Sequence, residues 1–268
     1  MKAIVVPTDF STTAENAMLY AGQLAKTIDA EILLVHVYQI PVGMNDMPVL
    51  MVSTDELKNN ADEGLNRAKE LLQKNYNDVE VKTESRLGNV TDELNDVCEK
   101  ANAFVIVTGK HGASGLERAL FGSTSLSIIR HTKYPVVVVP HHSQKHQIKN
   151  VAVAIDDVAE TLPVGKIKSL TTELKATLHL IHVQQQKTGL ADLTNIEREL
   201  GASCVTIYDD EFVHGIESFI NQNNIDLLII LPHKHTLIER LFFRTHTAEV
   251  LNKVSIPIMC INERSDRN

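Results

Sequence analysis

The run Gly109-Lys110-His111-Gly112, with nine residues between Gly112 and the following Gly122-Ser123-Thr124, has the residue types and spacing to hold an anion. Glycine has no Cβ, so main-chain N–H groups can turn toward a phosphate, and Ser123 and Thr124 can open a helix while offering hydroxyls. A second polar group stands at Pro7-Thr8-Asp9-Phe10-Ser11, directly after a short apolar run. Asp9 beside a phosphate would repel it, so its expected role is to hold a divalent cation or a ribose hydroxyl. Both groups have plainer readings. Asp9 or Ser11 could simply cap the next helix, and the glycines could be surface turns ahead of a capped one.

The loop is not a Walker A sequence, which needs four residues between its first glycine and Gly-Lys-Ser/Thr, nor a Gly-x-Gly-x-x-Gly dinucleotide fingerprint. It lacks the P-loop lysine and the rest of a fast NTPase. No catalytic residue is assigned. His111 lies inside the loop and could polarise a water for slow hydrolysis, or could merely face solvent.

Elements that would position these groups follow from periodicity. Ala3 to Val6, Ile32 to Val37, Val79 to Ser85, Phe104 to Val107 and Val136 to Val139 read as strands. Thr12 to Thr27, Asp55 to Lys74, Asp92 to Lys100 and Ser123 to His131 read as amphipathic helices, several opened by Ser, Thr or Asp. The alternation predicts an α/β fold with a mainly parallel sheet and helices on both faces. In such sheets ligands lie at the carboxyl ends of strands where the strand order reverses, and there Asp9, Val37 and Gly109 would meet.

The order then repeats, with strands expected at Val151 to Ile155, Thr177 to Val183, Ser203 to Tyr208, Leu227 to Leu231 and Ile256 to Ile261. Leu34-Val35-His36-Val37 returns as Leu180-Ile181-His182-Val183, Glu117-Arg118-Ala119-Leu120-Phe121 as Glu239-Arg240-Leu241-Phe242-Phe243, and Tyr134-Pro135-Val136 as Ile256-Pro257-Ile258. Two tandem domains, 1–143 and 148–268, each an open five-stranded Rossmann-like sheet, are the simplest account. At 268 residues and 43% hydrophobic the chain can fill two such cores. Residues 1–147 carry 14 basic and 18 acidic side chains and residues 148–268 carry 12 and 16, so neither half offers a nucleic-acid surface. No run approaches a membrane span, and Cys98, Cys204 and Cys260 suit reduced thiols, which together predict a cytoplasmic protein.

These residues resemble the universal stress protein family, its ATP-binding branch and its tandem members in particular. The family's phosphate motif of Gly, two residues, Gly, nine residues, Gly and Ser or Thr is filled by Gly109, Gly112, Gly122 and Ser123. Pro7-Thr8-Asp9-Phe10-Ser11 and Leu34-Val35-His36-Val37 match its first two strand signatures. The resemblance implies that Asp9 and Val37, with Pro7 and Thr8, border ribose and adenine. It implies that Gly109, Gly112, Gly122, Ser123 and Thr124, with His111 among them, wrap the phosphates of ATP accompanied by Mg²⁺. It further implies pairing of the domains through their last strands, Val136 to Pro140 and Ile256 to Ile261, with a homodimer of whole chains also open. The function so implied is a nucleotide-occupancy sensor in a stress response; a slow ATPase and a nucleotide-free scaffold are the alternatives.

The second half departs from the motif. At the shared offset Gly109, Gly112 and Gly122 become Leu231, Lys234 and Arg244, so no ATP site of this kind is expected there, although Asp156 or Asp157 keeps the first-strand carboxylate. Six of the twelve histidines lie in this half, and His233 and His235 with His214 or His246 could form an open zinc site. His182 repeats His36 and reads as a core residue satisfied by hydrogen bonds.

Overall fold

The computed structural model describes residues 1–40, 53–110, 123–140, 147–155, 162–184, 193–208, 212–231, 254 and 256–261. The front half contributes β1 (Lys2–Pro7), α1 (Thr12–Ile28), β2 (Ala30–Tyr38), α2 (Thr54–Asn75), β3 (Val81–Leu87), α3 (Val90–Lys100), β4 (Ala103–Gly109), α4 (Ser123–His131) and β5 (Val136–Val139). The rear half contributes β6 (Asn150–Ile155), α5 (Val164–Leu174), β7 (Thr177–Gln184), α6 (Thr194–Leu200), β8 (Cys204–Tyr208), α7 (Phe212–Asn223), β9 (Leu227–Ile230) and β10 (Ile258–Cys260).

The ten strands among the described residues form one sheet in the order β3-β2-β1-β4-β5-β10-β9-β6-β7-β8. Every pairing is parallel except β5 with β10, where Ile258, Met259 and Cys260 face Val138, Val137 and Val136. The sheets expected of the two halves are therefore one continuous surface. Because the seam is antiparallel and all else is parallel, the front strands end at one edge of the sheet and the rear strands at the opposite edge. The two switch points, β1/β4 and β6/β9, face away from each other and cannot share a ligand.

Strand side chains alternate between two apolar layers that run through both halves, as a sheet covered on each face requires. Ile4, Val6, Ile32, Leu34, Val137, Val153, Ile229 and Met259 pack with α1, α2 and α5, while Val5, Val35, Ile106, Val138, Ala154, Leu228 and Ile258 pack with α3, α4 and α7. Beyond the seam, Lys2 on β1 bridges to Glu173 on α5 at 2.7 Å.

Local signals set the element ends. Ser11 caps α1, its Oγ accepting from the Ala14 N–H at 3.2 Å, and Asp29 closes that helix in the left-handed conformation at φ 53°. The third strand starts at Val81, two residues later than periodicity suggests. Val79 is buried, but its N–H returns to the Tyr76 carbonyl at 3.3 Å and closes the turn after α2.

Burial decides the state of the cysteines. Cys98 and Cys260 are 0% and 1% exposed, and desolvation pushes both thiols up to about 12 from the ordinary 9. A thiol raised in the folded state contributes stability that is complete below pH 9 and lost as pH climbs toward 12. Urea unfolding at pH 8, 9 and 10 should show stability falling above pH 9, by up to about 1.4 kcal/mol per pH unit for each buried thiol. Cys98→Ala with Cys260→Ala should reduce that slope and leave the share of Cys204, whose thiol burial also pushes up to about 12.

Candidate functional site

At the front switch point the ends of β1, β2 and β4 and the first turns of α1, α3 and α4 enclose a cavity of about 140 Å³. Pro7, Thr8, Asp9, Val37, Gly109 and Thr124 all line it. Ser123 begins α4 directly beside Thr124, while His111, Gly112 and Gly122 lie outside the described residues. Sequence reasoning did not single out Ala14, Val35, His36, Val90, Thr108 and Ser125 as lining residues. Val37 and Val90 supply apolar surface, and Thr8, Asp9, Thr108, Thr124 and Ser125 supply oxygens.

The β1 turn is tightly bonded within itself. Phe10 N–H donates to Thr8 Oγ1 at 3.0 Å and Ser11 N–H to Asp9 Oδ1 at 3.1 Å, so Asp9 makes an Asx turn and Ser11 takes the capping role. Phe10 itself sits at φ 62°, a left-handed conformation unusual for an aromatic residue. Its ring stacks on the His36 imidazole, centroids 4.5 Å apart, and its tip fills the space where Gly64 of α2 lacks a Cβ; a Cβ there would come within 2.5 Å of Phe10 Cζ. His36 Nδ1 lies 2.7 Å from the Thr8 carbonyl oxygen.

Gly109 has a packing reason to be glycine. A Cβ at this position would stand 2.7 Å from Thr13 Cγ2 and 2.8 Å from the Thr13 carbonyl oxygen, so the end of β4 and the start of α1 meet only through a bare backbone. Ser125, buried on α4, donates from its Oγ to the Gly109 carbonyl at 2.8 Å and holds the opening of that helix against β4. A hydroxyl in the helix's first turn was the available signal, overshadowed in the sequence by Ser123 and Thr124. Lys110, the next residue, is buried with its ammonium pKa lowered by desolvation.

In the rear half His182 Nδ1 meets the Ile155 carbonyl at 2.9 Å, repeating the contact of His36. His179 instead meets Asn150 Oδ1 at 3.2 Å at the opposite, amino end of β6, so the two histidines of β7 do not converge. Among the described residues no group of three His, Cys, Asp or Glu side chains could hold a metal ion, and His233, His235 and His246 lie outside those residues.

A parallel sheet with its cavity at the switch point, the β1 carboxylate and the β4 glycine fits one set of relatives. The sequence model of the universal stress protein family matches residues 1–140. The chain belongs to the universal stress protein family. A universal stress protein of Methanocaldococcus jannaschii is 33% identical over 140 residues, 52% of this chain and 81% of that one. One from Synechocystis is 27% identical over 97% of this chain and 99% of its own length, so the likeness extends through both halves. Among solved structures, a universal stress protein from Archaeoglobus fulgidus superposes with a TM-score of 0.72, covering 99% of this chain and 97% of that one; at 18% identity the likeness is one of fold. Among the described residues of this universal stress protein no helix is long and apolar enough to cross a membrane.

Proposed function

We propose that this universal stress protein binds an adenine nucleotide, ATP accompanied by Mg²⁺, in its front domain (1–143), and that occupancy serves as a stress signal rather than as fuel. The observation that carries the reading is the meeting of Asp9, Val37, Gly109 and Thr124 around one cavity at the β1/β4 switch point. The donor set suits a nucleoside. Val37 and Val90 offer an apolar wall for a base, Asp9 a carboxylate for a ribose hydroxyl or a divalent cation, and α4 a helix start for phosphate. The space of about 140 Å³ is smaller than the several hundred Å³ usual for ligand pockets; His111, Gly112 and Gly122, which the family resemblance assigns to the phosphates, lie outside the described residues.

Mg²⁺ fits as a companion of the phosphates. Asp9 is the carboxylate among the described lining residues, and one or two carboxylates with substrate oxygens are the usual protein share of a Mg²⁺ site. We place the protein in the cytoplasm, in keeping with its free buried thiols. The rear domain (148–268) carries Leu231 where the front has Gly109 and is read as a non-binding partner that pairs with the front domain through β5 and β10.

Isothermal titration with ATP and AMP, each with and without Mg²⁺, tests the reading. The expected result is one site per chain, with ATP favoured by Mg²⁺. No heat at millimolar nucleotide, or two equivalent sites, would overturn it.

A further inference from the structure

The β1 turn that presents Asp9 is held from the neighbouring strand, and by a histidine. The Thr8 carbonyl can only accept, so His36 Nδ1 carries the hydrogen across the 2.7 Å contact, which fixes the ring's orientation and leaves Nε2 without a part in that bond. Thr8 N–H in turn donates to the Val35 carbonyl at 2.9 Å, so both main-chain groups of Thr8 are tied to β2. Thr8 Oγ1 takes the Phe10 N–H, and the Phe10 ring lies on the imidazole. The left-handed Phe10 thus lays its ring on His36 and its tip against the bare Gly64, and Asp9 stands between Thr8 and Phe10, the two residues so held.

We propose that His36 is a positioning residue for ligand binding: through Nδ1 it sets the Thr8–Ser11 turn and thereby aims the Asp9 carboxylate into the cavity. The rear half supports this division of labour. His182 keeps the same Nδ1 contact, to Ile155 at the end of β6, although Leu231 has replaced the β4 glycine there. A histidine retained where the glycine is lost serves the strand end, not the phosphate. In the front half His36 and Asp9 both line one cavity. This inference rests on the nucleotide reading for its ligand, but not for the turn.

Two substitutions separate the ring's nitrogens. Asparagine places its amide N–H where Nδ1 stands, whereas glutamine places its amide where Nε2 stands. If His36 acts through Thr8, His36→Asn keeps affinity close to wild type and His36→Gln loses about tenfold or more, the scale seen when a group that orients a binding residue is removed. If His36 touches the nucleotide through Nε2, the order reverses, and the proposal fails. Equal affinities in wild type and both variants would also refute it. His182→Gln, the rear control, should leave the nucleotide titration unchanged.

The turn is also read without nucleotide. In ¹⁵N NMR of the free full-length protein, wild type should show His36 as the Nδ1–H tautomer and a Ser11 amide protected from exchange. Protection should persist in His36→Asn and vanish in His36→Gln. Should wild type bind no nucleotide, the reading of the ligand fails while this result still judges the turn; unchanged Ser11 protection in His36→Gln would refute the inference outright.

Discussion

Gly109→Leu, which copies the residue the rear half already carries, is expected to lose nucleotide binding and to destabilise the front half together. A Cβ at Gly109 would stand 2.8 Å from the Thr13 carbonyl oxygen and 3.0 Å from its carbonyl carbon. These are backbone atoms and cannot swing aside. Thr13 is buried in the first turn of α1, and Ala14, Ala17, Met18, Tyr20 and Ala21 of that helix are built into the core. To admit a side chain the helix start must back away from β4, and overpacking of this kind costs about 1–3 kcal/mol for a few methylenes. The same movement carries Ser11, and with it the bonded turn that contains Asp9. Alanine at 109 should cost less than leucine but act in the same direction. Urea unfolding and ATP titration of the two variants check this, and a Gly109→Ala protein with wild-type midpoint and affinity would contradict the close approach. Thr13→Ser separates the atoms involved: it removes Cγ2 but leaves the carbonyl, so it should rescue Gly109→Ala only in part.

That result bears on what could be read from residue order. Gly109 stands out in the sequence because glycines at its spacing suit a phosphate, yet the contact that forbids a side chain there is with Thr13, 96 positions earlier in the chain. Long-range packing leaves no local mark. The strands and most helix starts were legible because period and capping are local: Ser11 before α1 and the unbroken Val136–Val139 run announce themselves. The limit of such signals shows at Val79, whose apolar side chain extended the third strand while its N–H had already been claimed by a turn. Within the site, Asp9, Val37, Gly109 and Thr124 could be named because each stands at the end of a recognisable element. His36 and Ser125 could not, since both act by holding a main-chain carbonyl, and any strand histidine or helix serine has the same appearance in a sequence.

Met259→Asp should be among the most damaging single changes in the chain. Met259 lies in β10 at the centre of the sheet, opposite Val137 across the antiparallel seam and beside Ile229 on the parallel side, and it is 2% exposed. Its side chain belongs to the apolar layer shared by both halves, with Val137, Val139 and Ile229. A carboxylate there has no described cation within that layer to offset its desolvation, and an uncompensated buried charge costs about 3–5 kcal/mol. The consequence exceeds the stability figure because of where the strand sits. If β10 releases, β5 becomes an open edge of four buried valines, Val136–Val139, the type of unpaired apolar strand that recruits another chain. Light scattering should therefore find dimers or larger species at concentrations where wild type is uniform, and the urea midpoint should fall. Met259→Leu, which keeps the volume and the apolar surface, is the control and should cost less than about 1.5 kcal/mol. A Met259→Asp chain that stayed as stable and as uniform as wild type would mean that the seam does not hold the halves together, and that they can separate freely at neutral pH.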